Sequence, residues 1–283
     1  MRILVTTDGS ERSFRVYPHA ASLAKAAGAE VVVLQVLDPR VDAATELDLN
    51  LQRAAQRVAV QWQEELAEFI EHRHLDAMPR VAVKGQREDT EDTILRVAEE
   101  EGAALIAMDT RGTSALRHLI AGSVATGVVG KGRLPVMLTG DHAREPKTHG
   151  QYRLLLTNDG SEAAVDVVKA LGPVLRAASP EVTVLRVYDP RLGDRGTDAE
   201  VAAAHAELEA LVPSIPGGDV RVHVAMPNGV EKVGSTILRV AEEIGADAIA
   251  MSTHGHSARR HLFAGSVTMG CLGNSPVPVI VAR

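Results

Sequence analysis

The chain carries the same sequence twice. Residues 94–100 and residues 237–243 both read Ile-Leu-Arg-Val-Ala-Glu-Glu. Other segments recur in the same order: Asp8-Gly9-Ser10 as Asp159-Gly160-Ser161, Asp38-Pro39-Arg40 as Asp189-Pro190-Arg191, and Gly122-Ser123-Val124 as Gly265-Ser266-Val267. The earlier pairs lie 151 residues apart and the later ones 143, so the second copy has lost eight residues between them. A period of this length is the size of a domain, which indicates a tandem duplication.

The composition excludes two classes of partner. A formal net charge of −7 offers no broad basic face for nucleic acid, and three Phe, three Tyr and one Trp are too few to stack single strands. The apolar run at residues 1–6 is too short for a signal peptide, and no stretch approaches a membrane span. Cys271 is the only cysteine, which excludes an internal disulfide and favours a reducing compartment. We therefore expect a cytoplasmic protein that binds neither nucleic acid nor membranes.

The first copy alternates short apolar runs with helical patterns. We predict strands at Ile3–Thr6, Val31–Leu37, Met78–Val83, Ala104–Met108 and Pro135–Thr139. The helices between them are predicted from Ser10, as N-cap, to about Ala27, over a long segment with Val58, Trp62, Leu66, Phe69 and Ile70 on one face, at Thr93–Glu101, and from Ser123 to about Gly130.

The second copy repeats this order. Its strands are predicted at Leu154–Thr157, Val182–Val187, Val220–Ala225, Ala248–Ser252 and Pro278–Ala282, and its second helix around Ala199–Leu211. We expect domains at residues 1–140 and 151–283, joined by a linker at 141–150. The predicted fold class is α/β: two open parallel five-stranded sheets with helices on both faces, a Rossmann-like fold in tandem. Ligands of such sheets bind beyond the carboxyl ends of the strands, where the strand order reverses.

The first candidate site residue in each copy is the acid after strand one, Asp8 and Asp159. A carboxylate there can accept hydrogen bonds from a ribose or hold a metal ion carried by phosphates. The alternative is structural, because an Asp-Gly-Ser turn can simply precede and cap a helix. Taken alone, this turn favours the structural interpretation.

The second candidate lies after strand four. Gly112 is followed by nine residues and then Gly122-Ser123, and Gly255 by nine residues and then Gly265-Ser266. Glycine lets the backbone approach an anion, and a helix that opens with Gly-Ser presents N–H groups at its positive end. The pattern is consistent with a phosphate site, or with a turn followed by an N-cap.

This constellation, in the same order in both copies, resembles the universal stress protein family, and the resemblance covers nearly the whole chain. Nucleotide-binding members carry Gly-x-x-Gly, nine residues, then Gly-Ser or Gly-Thr after strand four, an Asp after strand one, and an aliphatic residue at the end of strand two that packs on adenine. The resemblance implies an ATP site in each copy. The residues carried over are Asp8, Val36, Gly112, Gly122, Ser123 and Val124 in the first copy and Asp159, Val187, Gly255, Gly265, Ser266, Val267 and Thr268 in the second.

Both copies depart from the family pattern at its first glycine, which is Asp109 in the first copy and Ser252 in the second. A carboxylate beside a polyphosphate is repelled unless a divalent cation such as Mg²⁺ screens it. The first copy also has Ala125 where the second keeps the hydroxyl of Thr268. We therefore expect the second copy to be the better nucleotide site.

The histidines and the missing catalytic motifs bear on enzymatic function. His254 and His256 resemble the paired histidines of nucleotidylyltransferases, but that signature follows strand one, and here the pair follows strand four. With His261 they do not define three ligands for one metal, so we expect no metal site. The chain has no Gly-x-x-x-x-Gly-Lys-Ser/Thr loop and no Gly-x-Ser-x-Gly elbow. Specific catalysis is not expected, although Asp8 or Asp159 could orient a water for slow ATP hydrolysis.

The last strands suggest how the copies meet. Residues 135–138 and 278–281 are equivalent apolar strands, and an uncovered apolar edge tends to pair with another. Family dimers associate through this strand, so the resemblance implies an intramolecular pseudo-dimer; the alternative is that both strands are ordinary members of their own sheets. A homodimer of chains is a further possibility.

The leading functional hypothesis is a stress-response protein that binds adenine nucleotide and senses or regulates rather than catalyses. The first alternative is an interaction protein of the same fold that acts without nucleotide. The second is a slow ATPase. The sequence does not identify the stress or the partner.

Overall fold

A computed structural model describes residues 1–39, 51–110, 122–147, 150–189, 197–253 and 265–283. Its first half contains β1 (Arg2–Thr7), α1 (Tyr17–Ala27), β2 (Glu30–Leu37), α2 (Leu51–His72), β3 (Met78–Val83), α3 (Thr90–Glu100), β4 (Ala103–Asp109), α4 (Ser123–Lys131) and β5 (Val136–Thr139). The second half contains β6 (Arg153–Thr157), α5 (Glu162–Ala178), β7 (Glu181–Val187), α6 (Asp198–Leu211), β8 (Val220–Ala225), α7 (Val233–Glu243), β9 (Ala248–Ser252), α8 (Ser266–Asn274) and β10 (Val279–Ala282).

Within each half the five strands are parallel, as the alternation of strands and helices predicts. The order is β3-β2-β1-β4-β5 in the first half and β10-β9-β6-β7-β8 in the second. The chain therefore reverses its direction across the sheet between β1 and β4, and again between β6 and β9. A crevice beyond the carboxyl ends of the strands is expected at each of these two switch points.

The two halves share one sheet, so the two predicted five-stranded sheets are joined into one. Strand β5 pairs antiparallel with β10, with Met137 opposite Ile280, and the result is a ten-stranded sheet. The alternation of strands and helices predicts parallel strands within a half. It specifies neither the strand order nor that the two edge strands meet, because the meeting depends on which apolar edges remain uncovered.

The apolar core forms two clusters, one on each face of the sheet, as alternating side chains require. Ile3 and Val5 belong to one cluster and Leu4 to the other. Each cluster contains residues from both halves, so the packing is continuous across the seam, the line where β5 pairs with β10. Cys271 is fully buried in the second cluster, and burial raises the pKa of its thiol to about 12, as expected for an unreactive core residue.

Two helix starts differ from the predictions. The Ser10 hydroxyl accepts a hydrogen bond from Ser13 N at 3.2 Å in the turn before a 3₁₀ helix at Ser13–Val16, and α1 begins only at Tyr17. Helix α3 begins at Thr90 rather than Thr93, because the side chain of Asp92 accepts from Asp89 N at 3.0 Å and caps an earlier turn. Helix α1 ends at Ala27, as predicted, and Gly28 follows it in the left-handed conformation. Among the described residues, no helix is both long enough and apolar enough to cross a membrane.

The segment after β5 packs closely on the second half. A Cβ atom on Gly140 would overlap the carbonyl oxygen of Leu272 in α8, so the backbones approach there more closely than any side chain allows. Four residues further on, Arg144 N donates to the carbonyl of Pro276 at 2.9 Å. This stretch therefore holds the two halves together beside the seam.

The variant Gly140→Ala is expected to lose about 2 kcal/mol of unfolding free energy, because the methyl group forces the linker away from α8. Gly130→Ala in α4 is the matched control: nothing lies within 4 Å of its Cβ position, and alanine favours a helix by up to about 1 kcal/mol. Urea unfolding midpoints of the two variants measure the difference. Equal midpoints would show that Gly140 does not pack against Leu272.

Candidate functional site

A cavity of about 270 Å³ lies at the switch point of the first half, beyond the carboxyl ends of β1, β2 and β4. It is lined by Thr6, Thr7, Asp8, Ser13, Leu34, Val36, Thr90, Ile94, Met108, Asp109, Thr110, Gly122, Ser123, Val124 and Ala125. The predicted residues Asp8, Val36, Gly122, Ser123 and Val124 are among them. These residues come from three segments of the chain that are far apart in sequence. The sixth, Gly112, lies outside the described residues.

Asp8 both organises its turn and lines the cavity. Its Oδ1 accepts hydrogen bonds from Ser10 N at 3.0 Å and from Ser10 Oγ at 2.6 Å. Gly9 has φ of +82°, a conformation that favours glycine. Asp159 makes the same two bonds with Ser161 in the second half. In both halves the Asp therefore closes the turn that follows strand one, and in the first half the same turn brings the carboxyl group to the cavity.

The glycine before α4 is the N-cap of that helix. Gly122 has φ of −65° and ψ of 163°, and its N–H donates to the carbonyl of Thr110 at 2.5 Å. A Cβ atom there would lie 3.3 Å from the same oxygen, which is a tight contact. Gly265 repeats the arrangement before α8, with its N–H 2.7 Å from Thr253 O. Helices α4 and α8 therefore begin after the fourth strand of each half, β4 and β9, as predicted.

The inner wall of the first-half cavity is aliphatic. Leu34 and Val36 at the end of β2 face Ile94 of α3 and Met108 of β4 around the cavity. Such a wall suits a flat apolar ring, whereas the edge with Asp8, Thr110 and Ser123 is polar. The equivalent residues of the second half are Leu185, Val187, Ile237 and Met251. The aliphatic lining beyond Val36 was not predicted, although its repetition in the second copy is visible in the sequence.

Comparison with known proteins identifies the family. A profile of the universal stress protein family matches residues 1–140 and again residues 152–283. The chain belongs to the universal stress protein family. A universal stress protein of Synechocystis is 25% identical over 99% of both chains, and one of Methanocaldococcus jannaschii is 29% identical over 48% of this chain and 80% of its own. The crystal structure of a universal stress protein from Archaeoglobus fulgidus covers 100% of this chain and 98% of its own, at 25% identity and a TM-score of 0.68.

In this universal stress protein, Asp109, which stands at the first glycine position of the motif, is paired with an arginine. Asp109 ends β4 with its side chain buried, and Thr139 Oγ1 donates to its Oδ2 at 3.2 Å. Arg12 Nε lies 3.4 Å from its Oδ1, and Arg12 Nη2 pairs with Asp141. Burial lowers the pKa of Arg12, but its hydrogen bond with Asp141 and the charges of both carboxylates outweigh burial and raise that pKa. Arg12 therefore stays charged and neutralises Asp109.

The second half of this universal stress protein differs at the equivalent positions. Ser252, Ala163 and Ala282 stand where the first half has Asp109, Arg12 and Thr139. Thr268 is buried, and its hydroxyl donates a hydrogen bond to the carbonyl of Ser252 at 3.1 Å. The hydroxyl proton is therefore engaged by the backbone and is not offered to a ligand. Of the other residues predicted here, Asp159 lies two residues after β6, Val187 is the last residue of β7, and Gly265, Ser266 and Val267 lie at the start of α8.

The histidine hypothesis falls on residues that the structure does not describe. His254, His256 and His261 lie outside the described residues, as does the predicted site residue Gly255. Within the described ranges, no group of three His, Cys, Asp or Glu side chains is placed to hold a metal ion. Arg12 was not predicted from the sequence. The signal that could have revealed it is that Arg12 and Asp109 are both replaced in the second half, by Ala163 and Ser252.

Proposed function

We propose that this universal stress protein binds adenine nucleotide, with ATP as the ligand, at the carboxyl ends of the sheet strands, and that it senses or regulates rather than catalyses. The observation that carries the proposal is the cavity of the first half. Five residues predicted from three separate segments line it together, at the switch point where an open α/β sheet binds ligands.

The lining fits the two ends of a nucleotide. The aliphatic wall with Val36 offers apolar contact to a purine, in a chain that has few aromatic side chains for stacking. The N-terminus of α4, which begins after Gly122, offers backbone N–H groups and the positive end of the helix dipole to a phosphate. Residue types and spacing support the same arrangement at Val187 and Gly265 in the second half.

The second half is proposed as the better ATP site. Ser252 is small and uncharged, whereas Asp109 brings a carboxylate to the first-half cavity. The first half must offset this charge with Arg12, whereas the second half has no carboxylate at this position that would repel a phosphate. The pairing of β5 with β10 supports a further proposal, that the two halves act as an intramolecular pseudo-dimer. A cytoplasmic location also remains a proposal.

Calorimetric titration of ATP with Mg²⁺ into the wild type and Gly265→Asp tests this function, after mass spectrometry has checked for retained nucleotide. We expect the substitution to weaken binding at the second half about a hundredfold, because it places a negative charge where the phosphate binds. Backbone strain is not involved, since Gly265 has φ of −64° and a Cβ atom there would lie 3.7 Å from Thr253 O.

Gly265→Asn is the matched control, because Asp and Asn are similar in size and cap helices about equally well. It is expected to bind ATP at least about tenfold more tightly than Gly265→Asp, since it lacks the negative charge. A wild type with no retained nucleotide and no heat of binding would contradict the proposal and favour the interaction protein that acts without nucleotide. Phosphate release that falls in Asp159→Ala would support the slow ATPase.

A further inference from the structure

We propose that Arg12 is a ligand-binding residue of the first-half cavity: when nucleotide binds, its guanidinium exchanges Asp141 for a phosphate, so that ligand binding loosens the linker between the halves. This inference rests on the proposed function, because it concerns the same ligand. It adds a residue outside the motif of Asp, glycines and Ser, and it assigns a role to Asp109.

Asp109 holds Arg12 beside the cavity. The carboxyl group lines the cavity, and Thr139 Oγ1 and Arg12 Nε contact its two oxygens at 3.2 and 3.4 Å. Because the Asp109 side chain is 2% exposed, its position is set by the surrounding protein. Asp109 is therefore a positioning residue, and its charge is offset by Arg12 and not presented alone to a phosphate.

The outer end of Arg12 can change partners. Its Nη2 pairs with Asp141, and the side chains of both residues are 36% exposed, so water weakens this ion pair. A phosphate carries more charge than a carboxylate and matches the planar guanidinium in geometry. Arg12 does not itself line the cavity, but Asp109 does, and it contacts Arg12 Nε. A nucleotide phosphate at the Asp109 end of the cavity is therefore a stronger partner for Nη2 than Asp141, while Nε keeps its contact with Asp109.

The exchange affects the linker because Asp141 is its first residue. Arg15 Nη2 donates to the carbonyls of Asp141 and Ala143 at 3.2 and 3.1 Å, which holds the linker on the first half. Arg144 then ties it to the second half, through Pro276 O at 2.9 Å and Glu242 at 3.2 Å. Loss of the Arg12–Asp141 pair removes one of the contacts that keep this segment in place.

The duplication provides an internal comparison. At the positions equivalent to Asp109, Arg12 and Thr139, the second half has Ser252, Ala163 and Ala282, so the acid, its cation and its hydroxyl partner are all absent together. The three residues therefore form a unit that belongs to the half that the linker follows. Asp109 is explained as part of this unit and not as a defect of the phosphate motif.

The test uses the Gly265→Asp chain, in which the first half is the remaining site, and titrates it with ATP and with adenosine. Arg12→Gln is expected to weaken ATP binding about tenfold and to leave adenosine binding unchanged, since adenosine has no phosphate. Asp141→Asn is expected to strengthen ATP binding by about twofold to fivefold, because it removes the competing carboxylate. Arg15→Gln is the control: it loosens the linker without touching Asp109, and its ATP affinity is expected to stay unchanged.

Hydrogen exchange of residues 141–147 gives a second readout. ATP is expected to speed exchange in this segment, and Arg12→Gln is expected to abolish that effect. If Arg12→Gln does not fold because Asp109 is left without its cation, the double variant Arg12→Gln/Asp109→Asn replaces it. ATP binding that these variants leave unchanged, or an equal loss for ATP and adenosine, overturns this inference alone. A wild type that binds neither ligand overturns the proposed function as well.

Discussion

Ile280→Asp is expected to lose at least about 4 kcal/mol of unfolding free energy, the largest effect predicted for any single substitution described here. Ile280 is 1% exposed in β10, a central strand of the ten-stranded sheet, between Met137 of β5 and Ala250 of β9. A carboxylate at this position is buried in an apolar cluster that both halves share. Denaturant unfolding followed by circular dichroism measures the loss.

The same variant tests whether the seam couples the halves. In the wild type the shared sheet and the shared core clusters predict one cooperative unfolding transition, and in Ile280→Asp we expect the second half to unfold before the first. Ile280→Val keeps an apolar strand residue and is expected to lose only about 0.5 to 1.5 kcal/mol, in one transition. An Ile280→Asp protein with an unchanged midpoint and one transition would show that β10 does not lie at the centre of a continuous sheet.

His19 is expected to make the protein less stable as the pH falls from about 6.5 to about 4. The side chain lies in α1 and is 4% exposed, and burial lowers its pKa to about 4. A hydrogen bond to the backbone of Arg144 opposes this shift, and the positive charge of Arg15 adds to it. In the unfolded chain the pKa of a histidine is about 6.5, so below that pH the unfolded state binds a proton that the folded state does not.

The contribution of His19 is therefore fully present above about pH 6.5 and lost as the pH falls towards 4. A difference of about 2.5 pKa units corresponds to about 3 kcal/mol by pH 4. Other groups titrate in the same range, so the measurement compares the pH dependence of the unfolding free energy of the wild type with that of His19→Gln. The variant is expected to lack the part below pH 6.5. Parallel curves for the two proteins would contradict the buried, neutral histidine.

Apolar patterning was sufficient to locate the strands. Met78–Val83, Val220–Ala225 and Ala248–Ser252 have the predicted bounds, because each is a short run of mostly apolar residues between breaks in the pattern. Only the last of them is largely buried, since the other two are the edge strands of the sheet. The sequence was less informative about helix starts. Ser10 has the residue type of an N-cap, but it does not cap α1. The chain first forms a 3₁₀ helix that packs Ser13 against Thr7, with their hydroxyl oxygens 2.7 Å apart. Such a contact depends on the tertiary structure and has no periodic signal.

The candidate site shows the same division. Asp8 and Gly122 were predictable as cavity residues, because one follows a strand, the other precedes a helix, and the repeat marks each twice. Val36 lies within β2, and only the family resemblance pointed to it. Arg12 was not predictable, because its partner Asp109 is 97 residues away and the pairing has no local motif. Departures between the two copies were as informative as their identities.

Native mass spectrometry of the wild-type chain, titrated with ATP and Mg²⁺, measures nucleotide binding itself. We expect an adduct with the mass of ATP that saturates with concentration, and we expect Gly265→Asp to reduce the number of nucleotides bound per chain. A wild type that forms no adduct at any ATP concentration, while its mass and charge states show a folded chain, would contradict nucleotide binding as the function of this universal stress protein.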